Sequence, residues 1–164
     1  MKIFIPILGF GRSGGFRVLS QLANHWIQMG NEVTFISVAE ELKSEPYYPT
    51  DAKILHVNRN GTEATLPTES VVIGHANRAS LTRRFAQLNA LRLALNIYTT
   101  AKDIILATYS LTAYSVFYSK QNKHKFYYIQ AYEPEYFSDT FYGRLMAKIV
   151  SKTYSLKLNK IVNS

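Results

Sequence analysis

The first 37 residues contain the feature that most restricts the fold, an apolar run followed by a glycine-rich turn and a helical pattern. The apolar run from Lys2 to Leu8 has the length of a buried strand. The turn that follows, residues 9–15, contains four glycines. From Phe16 to Ile27, apolar residues recur at three- and four-residue steps, the period of a helix with one buried face. A second strand is expected at Val33 to Ile36, so this segment predicts a βαβ unit.

The glycine-rich turn also indicates a binding function. A strand that turns directly into a helix passes through backbone conformations closed to residues with a Cβ atom. The same bare backbone lets an anionic or hydroxyl-bearing ligand approach the N–H groups at the positive end of the helix. We therefore predict that Arg12, Ser13, Gly14, Gly15 and Arg17 form a cradle for a phosphate or a sugar. The alternative is a tight turn that packs the helix on the sheet and binds nothing.

The rest of the chain alternates short apolar runs with helical patterns, which is typical of an α/β protein with a doubly wound, mostly parallel sheet and helices on both faces. Further strands are expected at residues 53–57, 71–73, 103–107, 125–130 and 160–162. Further helices are expected at residues 80–96 and 111–119 and from residue 139 or 140 onward. We expect one Rossmann-like domain over residues 1–164, with an irregular loop at residues 40–51.

Ligands bind such sheets beside the carboxyl ends of the strands. Besides the glycine-rich turn, polar residues follow several of the expected strands. We predict that they bind a substrate, and they are His75, Thr108, Tyr109, Ser110 and Gln130. Tyr132 and Glu133 come shortly after the same strand as Gln130. The alternatives are that His75 is a turn residue without a role, that Glu133 braces a turn made by Pro134, and that Tyr132 only packs.

Composition restricts the partners and the cofactors. Nineteen basic and eleven acidic residues give a net charge of +8, and one group of arginines (Arg78, Arg83, Arg84, Arg92) surrounds the second expected helix. No nucleic acid is expected, because no motif that reads bases is present. The chain has no cysteine and only four scattered histidines, so no metal site is expected. The longest mostly apolar segment is interrupted by polar residues and falls short of the ~18 residues of a membrane span. The expected location is cytoplasmic.

The last expected helix combines an apolar face with a basic one. Arg144, Lys148 and Lys152 recur every four residues and therefore share a face. One interpretation is a solvated helix face, and the other is a contact with an anionic membrane surface, which would place the protein at the inner face of the membrane. The residues expected to face the core are Phe141, Leu145, Met146, Ile149 and Val150.

Two short patterns resemble those of nicotinamide-dependent enzymes. Residues 9–14 fit the Gly-x-Gly-x-x-Gly dinucleotide fingerprint, but no acidic residue stands at the end of the second strand, where Ser37 lies. Residues 98–102 read Tyr-x-x-x-Lys, as in short-chain reductases, in a chain shorter than those enzymes. An NADP-dependent reductase therefore remains an alternative function.

Several stretches, taken in order, resemble the N-terminal half of one enzyme family, the retaining GT-B glycosyltransferases of the group 1 (family 4) type. The stretches are Ser13-Gly14-Gly15, Leu22-Ala23, Gly30 to Phe35, Ile105 to Tyr114, Tyr128 to Phe137 and Ile161 to Ser164. The two longest resemble the branch that contains bacterial rhamnosyltransferases of cell-surface glycan synthesis. The chain departs from the family at Asn31 and Tyr132, where relatives have His, and at Ala131, where that branch often has Asp.

The resemblance implies a nucleotide-sugar donor, a glycan or lipid-linked acceptor, and no metal or other cofactor. It implies that this half binds the acceptor, that its glycine loop contacts the donor's phosphates, and that Tyr132 and Glu133 occupy the catalytic position. The nucleotide-binding C-terminal GT-B domain is expected to lie outside this chain, so the chain alone is expected to be inactive. A non-catalytic module that binds sugar or membrane is the other alternative.

Overall fold

The computed structural model of the chain describes residues 1–39, 43–65, 68–73, 80–120 and 124–162. Over these ranges it contains eight strands and four α-helices. The strands are β1 (Lys2–Ile7), β2 (Glu32–Val38), β3 (Lys43–Glu45), β4 (Lys53–Val57), β5 (Val71–Ile73), β6 (Ile104–Ala107), β7 (His124–Ile129) and β8 (Asn159–Val162). The helices are α1 (Gly14–Gln28), α2 (Leu81–Tyr98), α3 (Ser110–Tyr118) and α4 (Phe141–Thr153).

The main sheet confirms the predicted doubly wound α/β fold. Its six strands follow the order β4-β2-β1-β6-β7-β8, and every neighbouring pair is parallel. From β1 the chain moves outward through β2 to β4, and it then returns to the other side of β1 and continues through β6, β7 and β8. The direction of winding therefore changes between β1 and β6. In open α/β sheets this switch point is where a crevice forms beside the carboxyl ends of the strands.

Alternating residues of the strands form two separate cores, one on each face of the sheet. In β1, Ile3, Ile5 and Ile7 face α1, where they pack with Leu19 and Ala23. The opposite face is covered by α2 and α3, and the residues buried there include Phe4, Leu55, Leu91, Leu95, Ile105 and Val116. The central strands are buried on both sides, which is why they read as nearly continuous apolar runs in the sequence.

The segment expected to be an irregular loop contains the short strand β3. It pairs in parallel with β5 in a separate two-stranded sheet, so β5 is not part of the main sheet. The side chain of Glu45 on β3 lies 2.9 Å from Nε2 of the buried His56 on β4, and this contact connects the small sheet to the edge of the large one. With the sequence Lys-Ser-Glu, β3 has no apolar pattern from which a strand could be predicted.

The expected inward face of α4 is partly wrong. Met146 and Val150 are buried as predicted, where they pack with residues of α2 and α3. Phe141, however, is 81% exposed and Leu145 is 40% exposed. The helix is rotated so that Gly143 faces inward, because its backbone lies against Ser138 too closely for any side chain. Within the described ranges, no helix has the length and the apolar character that crossing a bilayer requires.

Candidate functional site

A pocket of about 590 Å³ opens at the switch point, beside the carboxyl ends of β1, β6 and β7. Its volume lies within the range of pockets that bind small molecules. One wall, called here the glycine-loop wall, consists of residues 9–16 and follows β1. The facing wall, the 130–136 wall, follows β7, and residues 108–109 after β6 complete the lining together with one residue of α2. The pocket therefore lies where a doubly wound sheet is expected to bind its ligand.

The pocket brings together residues that lie far apart in the sequence and that were predicted to bind a substrate. These are Ser13, Gly15, Thr108, Tyr109, Gln130 and Glu133. Gly14 begins α1 beside them and is exposed, and Ser110 lies fully buried just behind Tyr109. Tyr132 and the side chains of Arg12 and Arg17 do not line the pocket. His75 lies outside the described residues.

The glycine-loop wall contains the N-terminus of α1. Ser13 is the N-cap residue of α1, with an extended backbone, but its side chain makes no capping hydrogen bond. The first turn of α1 is closed by the N–H groups of Phe16 and Arg17, which donate to the carbonyl of Ser13. Among the described residues, the N–H groups of Gly14 and Gly15 have no hydrogen-bond acceptor. Two donors at the positive end of a helix are therefore available to an anion.

The two arginines of this loop lie apart from the pocket. The guanidinium of Arg12 stacks over the ring of Tyr47, 5.1 Å from its centroid, and the carbonyl of Arg12 accepts a hydrogen bond from the Tyr48 hydroxyl at 2.8 Å. Arg17 is exposed on α1. Tyr47 and Tyr48 thus hold the outside of the loop in place, while the positive charge expected at the cradle must come from elsewhere.

Arg84 supplies a positive charge that the sequence analysis did not place at the site. It lies in the first turn of α2, lines the pocket and is half-buried. Within the described part of the chain, its guanidinium makes no hydrogen bond or ion pair. The sequence placed Arg84 in a basic group around a helix that begins at Ser80, and that cap is confirmed, since Ser80 Oγ accepts from the N–H of Arg83. The sequence does not show that the N-terminus of α2 lies beside the crevice.

On the 130–136 wall, Glu133 connects two elements and lines the pocket at the same time. Its carboxylate accepts a hydrogen bond from the N–H of Ser110, at 3.0 Å, and another from the Ser110 hydroxyl. Ser110 is the first residue of α3, so Glu133 provides the negative charge that the N-terminus of this helix favours. The contact that Glu133 makes is therefore with a separate helix and not with the turn at Pro134 that the sequence suggested, and the carboxyl group also borders the pocket.

Burial changes the electrostatics of this wall. The pKa of Glu133 is raised because burial disfavours its carboxylate, although the two hydrogen bonds from Ser110 lower it and partly offset this effect. The pKa of Tyr109 is raised, chiefly by burial and also by the nearby Glu133, and Arg84 lowers it. A neutral phenol and a carboxyl group that readily takes up a proton can both donate hydrogen bonds to a ligand oxygen.

A second brace, Tyr154, follows α4. Its hydroxyl accepts from the N–H of Glu133 at 3.0 Å and donates to the carbonyl of Ala131 at 3.2 Å. Its ring lies between those of Tyr127 and Tyr132, with centroid distances of 5.9 and 5.4 Å. Tyr132 therefore packs on the outer side of this group, while Gln130 and Glu133 point into the pocket.

The chemical character of the pocket is mixed. Ile7, Leu8, Phe16 and Leu19 form an apolar floor, and the rim carries amide, hydroxyl and carboxyl groups. The Gln130 side chain lies against Gly15, where an added Cβ would come within 2.7 Å of Oε1. A side chain at position 15 would therefore displace this amide from its present position between the two walls. Among the described residues, no three His, Asp or Glu side chains are grouped in a way that would hold a metal ion.

Together the fold and the pocket define the class, an α/β protein with a Rossmann-like sheet and a pocket of ligand size at its switch point. Comparison of the chain with protein-family models, with curated proteins and with solved structures found no match.

Proposed function

We propose that the chain is the acceptor-side, Rossmann-like domain of a GT-B glycosyltransferase that transfers a sugar from a nucleotide-sugar donor to a glycan or lipid-linked acceptor in cell-surface polysaccharide synthesis. One observation carries this proposal. The switch-point pocket combines unpaired backbone N–H groups at the start of α1, an unpaired arginine and hydroxyl-orienting polar side chains over an apolar floor. Such a combination suits a ligand with a phosphate at one end and a sugar at the other.

The anion-binding side of the pocket would act on the leaving group. When the bond between the sugar and the diphosphate breaks, negative charge develops on the diphosphate oxygens. The N–H groups of Gly14 and Gly15 are donors held by the backbone of α1, and with the nearby guanidinium of Arg84 they would stabilise such charge. In this proposal Arg84 supplies the positive charge that the sequence led us to expect from Arg12 and Arg17, whose side chains lie apart from the pocket.

The opposite side of the pocket would hold the acceptor. Gln130, Thr108 and Tyr109 can donate hydrogen bonds to, and accept them from, sugar hydroxyls, and this fixes the attacking oxygen in position. Glu133 would orient an acceptor hydroxyl with the part of its carboxyl group that faces the pocket. Tyr132 stands outside this lining, so we place it at the side where the nucleotide-binding GT-B domain would close over the site.

Titration of the isotope-labelled chain with nucleotide sugars, followed by NMR, tests the proposal. We expect the amide signals of Gly14 and Gly15 to shift. We expect the affinity to fall about tenfold in Arg84→Ala, since a hydrogen bond to a charged group contributes ~1.5–3 kcal/mol. Arg12→Ala is the matched control, because it removes the same charge from outside the pocket, and its affinity should stay within about twofold.

The same titration separates the alternatives. Binding of NADPH without binding of nucleotide sugars would support a reductase. Binding of free sugars, with no response to any nucleotide sugar, would support a non-catalytic sugar-binding module. Equal losses of affinity in Arg84→Ala and Arg12→Ala would contradict the assignment of the charge to the pocket.

A further inference from the structure

Helix α4 presents a solvent-facing stripe of unusual composition. Phe141, Leu145, Lys148 and Lys152 follow one another along its outer side, opposite the buried Met146 and Val150. Phe141 is 81% exposed and Tyr136, on the turn before the helix, is 73% exposed. These five exposed residues are called here the aromatic–basic surface, and they are Tyr136, Phe141, Leu145, Lys148 and Lys152. Two large aromatic side chains in water at one end of a basic helix mark an interaction site.

The exposure of Phe141 is fixed by the structure. Thr140 caps α4, because its Oγ1 accepts a hydrogen bond from the N–H of Gly143 at 3.1 Å. A Cβ on Gly143 would lie 1.9 Å from the carbonyl oxygen of Ser138, so the turn before the helix and its first turn fit closely together. With the inner face anchored in this way, the helix cannot rotate to bury its aromatic residue.

The surface carries a net positive charge. Residues 135–160, which include the whole surface, contain five basic residues and two acidic ones, Glu135 and Asp139. Asp139 lies 3.7 Å from Arg144 and compensates that arginine in part. Lys148 and Lys152 are exposed and have no acidic partner among the residues that the structure describes. These two cations are therefore available to anions outside the chain.

We propose that the aromatic–basic surface docks the protein on an anionic lipid bilayer, with Phe141 and Leu145 in the interfacial layer and Lys148 and Lys152 at the headgroup phosphates. Helices that lie in the membrane interface also use Phe or Leu for the apolar layer and Lys or Arg for the headgroups, although they place the two kinds of residue on opposite faces, whereas α4 places them in succession along one stripe. Lysine is depleted in the cores of protein–protein interfaces, so a protein partner suits this stripe less well. A lysine ammonium can reach the phosphates while its aliphatic stem covers the apolar neighbours.

Docking in this orientation would bring the pocket to the bilayer. Tyr136 belongs to both the surface and the pocket lining, and Tyr142 is close enough to Tyr109 to influence its pKa. A lipid-linked substrate could then enter the pocket without leaving the membrane plane. This consequence rests on the proposed function, whereas the binding of the surface to a bilayer does not.

Flotation of the full 164-residue chain with lipid vesicles tests the docking. We expect binding to phosphatidylcholine vesicles that contain phosphatidylglycerol, no binding to phosphatidylcholine alone, and weaker binding at high salt. The double variant Lys148→Ser/Lys152→Ser should lower the partition coefficient about tenfold, and Phe141→Ser/Leu145→Ser at least as much. Met29→Ser and Lys102→Ser are matched controls, because both side chains are exposed in turns that precede β2 and β6 and are not part of α4, and they should bind as the unchanged chain does.

A label provides a second measurement that does not depend on how the serine variants fold. The chain has no cysteine, so Leu145→Cys carries a single environment-sensitive dye, and Met29→Cys carries the control dye. We expect a blue shift with anionic vesicles at position 145 and none at position 29. Equal flotation with both vesicle types, or unchanged flotation of the Phe141/Leu145 variant, would overturn the proposal. So would a dimer in light scattering that this variant abolishes without any vesicle binding, since the surface would then belong to a second copy.

Discussion

Helices α1 and α3 begin side by side at the pocket, and their two N-termini differ in whether the backbone N–H groups have a hydrogen-bond acceptor. Both follow neighbouring parallel strands, α1 after β1 and α3 after β6. At α3, the N–H and the hydroxyl of Ser110 are bound by the carboxylate of Glu133. At α1, within the described residues, the N–H groups of Gly14 and Gly15 have no acceptor, and Ser13 makes no side-chain cap.

The difference shows which helix end is structural and which is available for binding. A helix N-terminus favours negative charge, and in α3 the protein provides that charge itself. In α1 the corresponding donors have no acceptor among the described residues, and Gly15 and Arg84 both line the pocket, so this helix end is available to an anion from outside the chain. We therefore expect an anion to bind at the N-terminus of α1 and Glu133 to act mainly as a structural brace at the N-terminus of α3, and each expectation can be tested separately.

The largest expected effect on stability comes from removing the carboxyl group of Glu133, which binds the N-terminus of α3. Glu133→Ala leaves the fully buried N–H of Ser110 without an acceptor, which costs about 2–3 kcal/mol of the free energy of unfolding. Ser13→Ala, at the equivalent position of α1, removes no capping bond and should stay within ~0.5 kcal/mol, although a typical N-cap contributes ~1 kcal/mol. Urea denaturation measures both values. Equal losses in the two variants would contradict the comparison.

A smaller effect on stability is expected when a carboxylate is introduced at the N-terminus of α1. Ser13→Asp places an acceptor and a negative charge at the N-cap, which should raise the free energy of unfolding by about 0.5–1 kcal/mol. The same carboxylate should compete with a nucleotide sugar for the N–H groups of Gly14 and Gly15 and weaken its binding. Ser13→Asn is the matched control, since it caps the helix without the charge. If Ser13→Asp bound the ligand as tightly as the unchanged chain, the anion would have to bind elsewhere.

Much of this arrangement could be predicted from the sequence, because strands and helices are local patterns. The main sheet and the ends of its strands were predicted from local patterns. These are the apolar run and the glycines before α1, and the buried apolar runs of β4, β6 and β7. The positions of Gly15, Thr108 and Gln130 around one pocket followed from the rule that parallel strands end at the same edge.

The remaining features depend on tertiary contacts that no local pattern contains. Glu133 meets Ser110 across 23 positions of sequence, and the contact requires β6 and β7 to be neighbours. Arg84 enters the pocket only because α2 begins beside the crevice. In α4, both sides of the helix carry apolar residues, so the period of 3.6 could not decide that Phe141 faces outward.

The smallest expected effect is a dependence of stability on pH, and its sign distinguishes the two helix ends. Because burial raises the pKa of Glu133 in the folded protein, the folded state holds this proton more tightly than the unfolded chain, whose value is near 4.5. The stability that Glu133 contributes is therefore fully present below that value and declines as the pH rises through the raised folded pKa. The difference in unfolding free energy between the unchanged chain and Glu133→Gln should fall over this window and stay constant above it.

Urea denaturation at a series of pH values measures this difference. A difference that grew with pH would mean that the two hydrogen bonds from Ser110 outweigh burial and hold the pKa of Glu133 low. The Ser13→Asp variant should behave in the opposite way, because an exposed carboxylate at a helix N-terminus has a lowered pKa. Its gain in stability over Ser13→Asn should appear as the pH rises through the pKa of the aspartate and be lost in acid. If these two differences in unfolding free energy change with pH in opposite directions, burial determines the protonation of Glu133, whereas the helix dipole determines that of an exposed carboxylate at position 13.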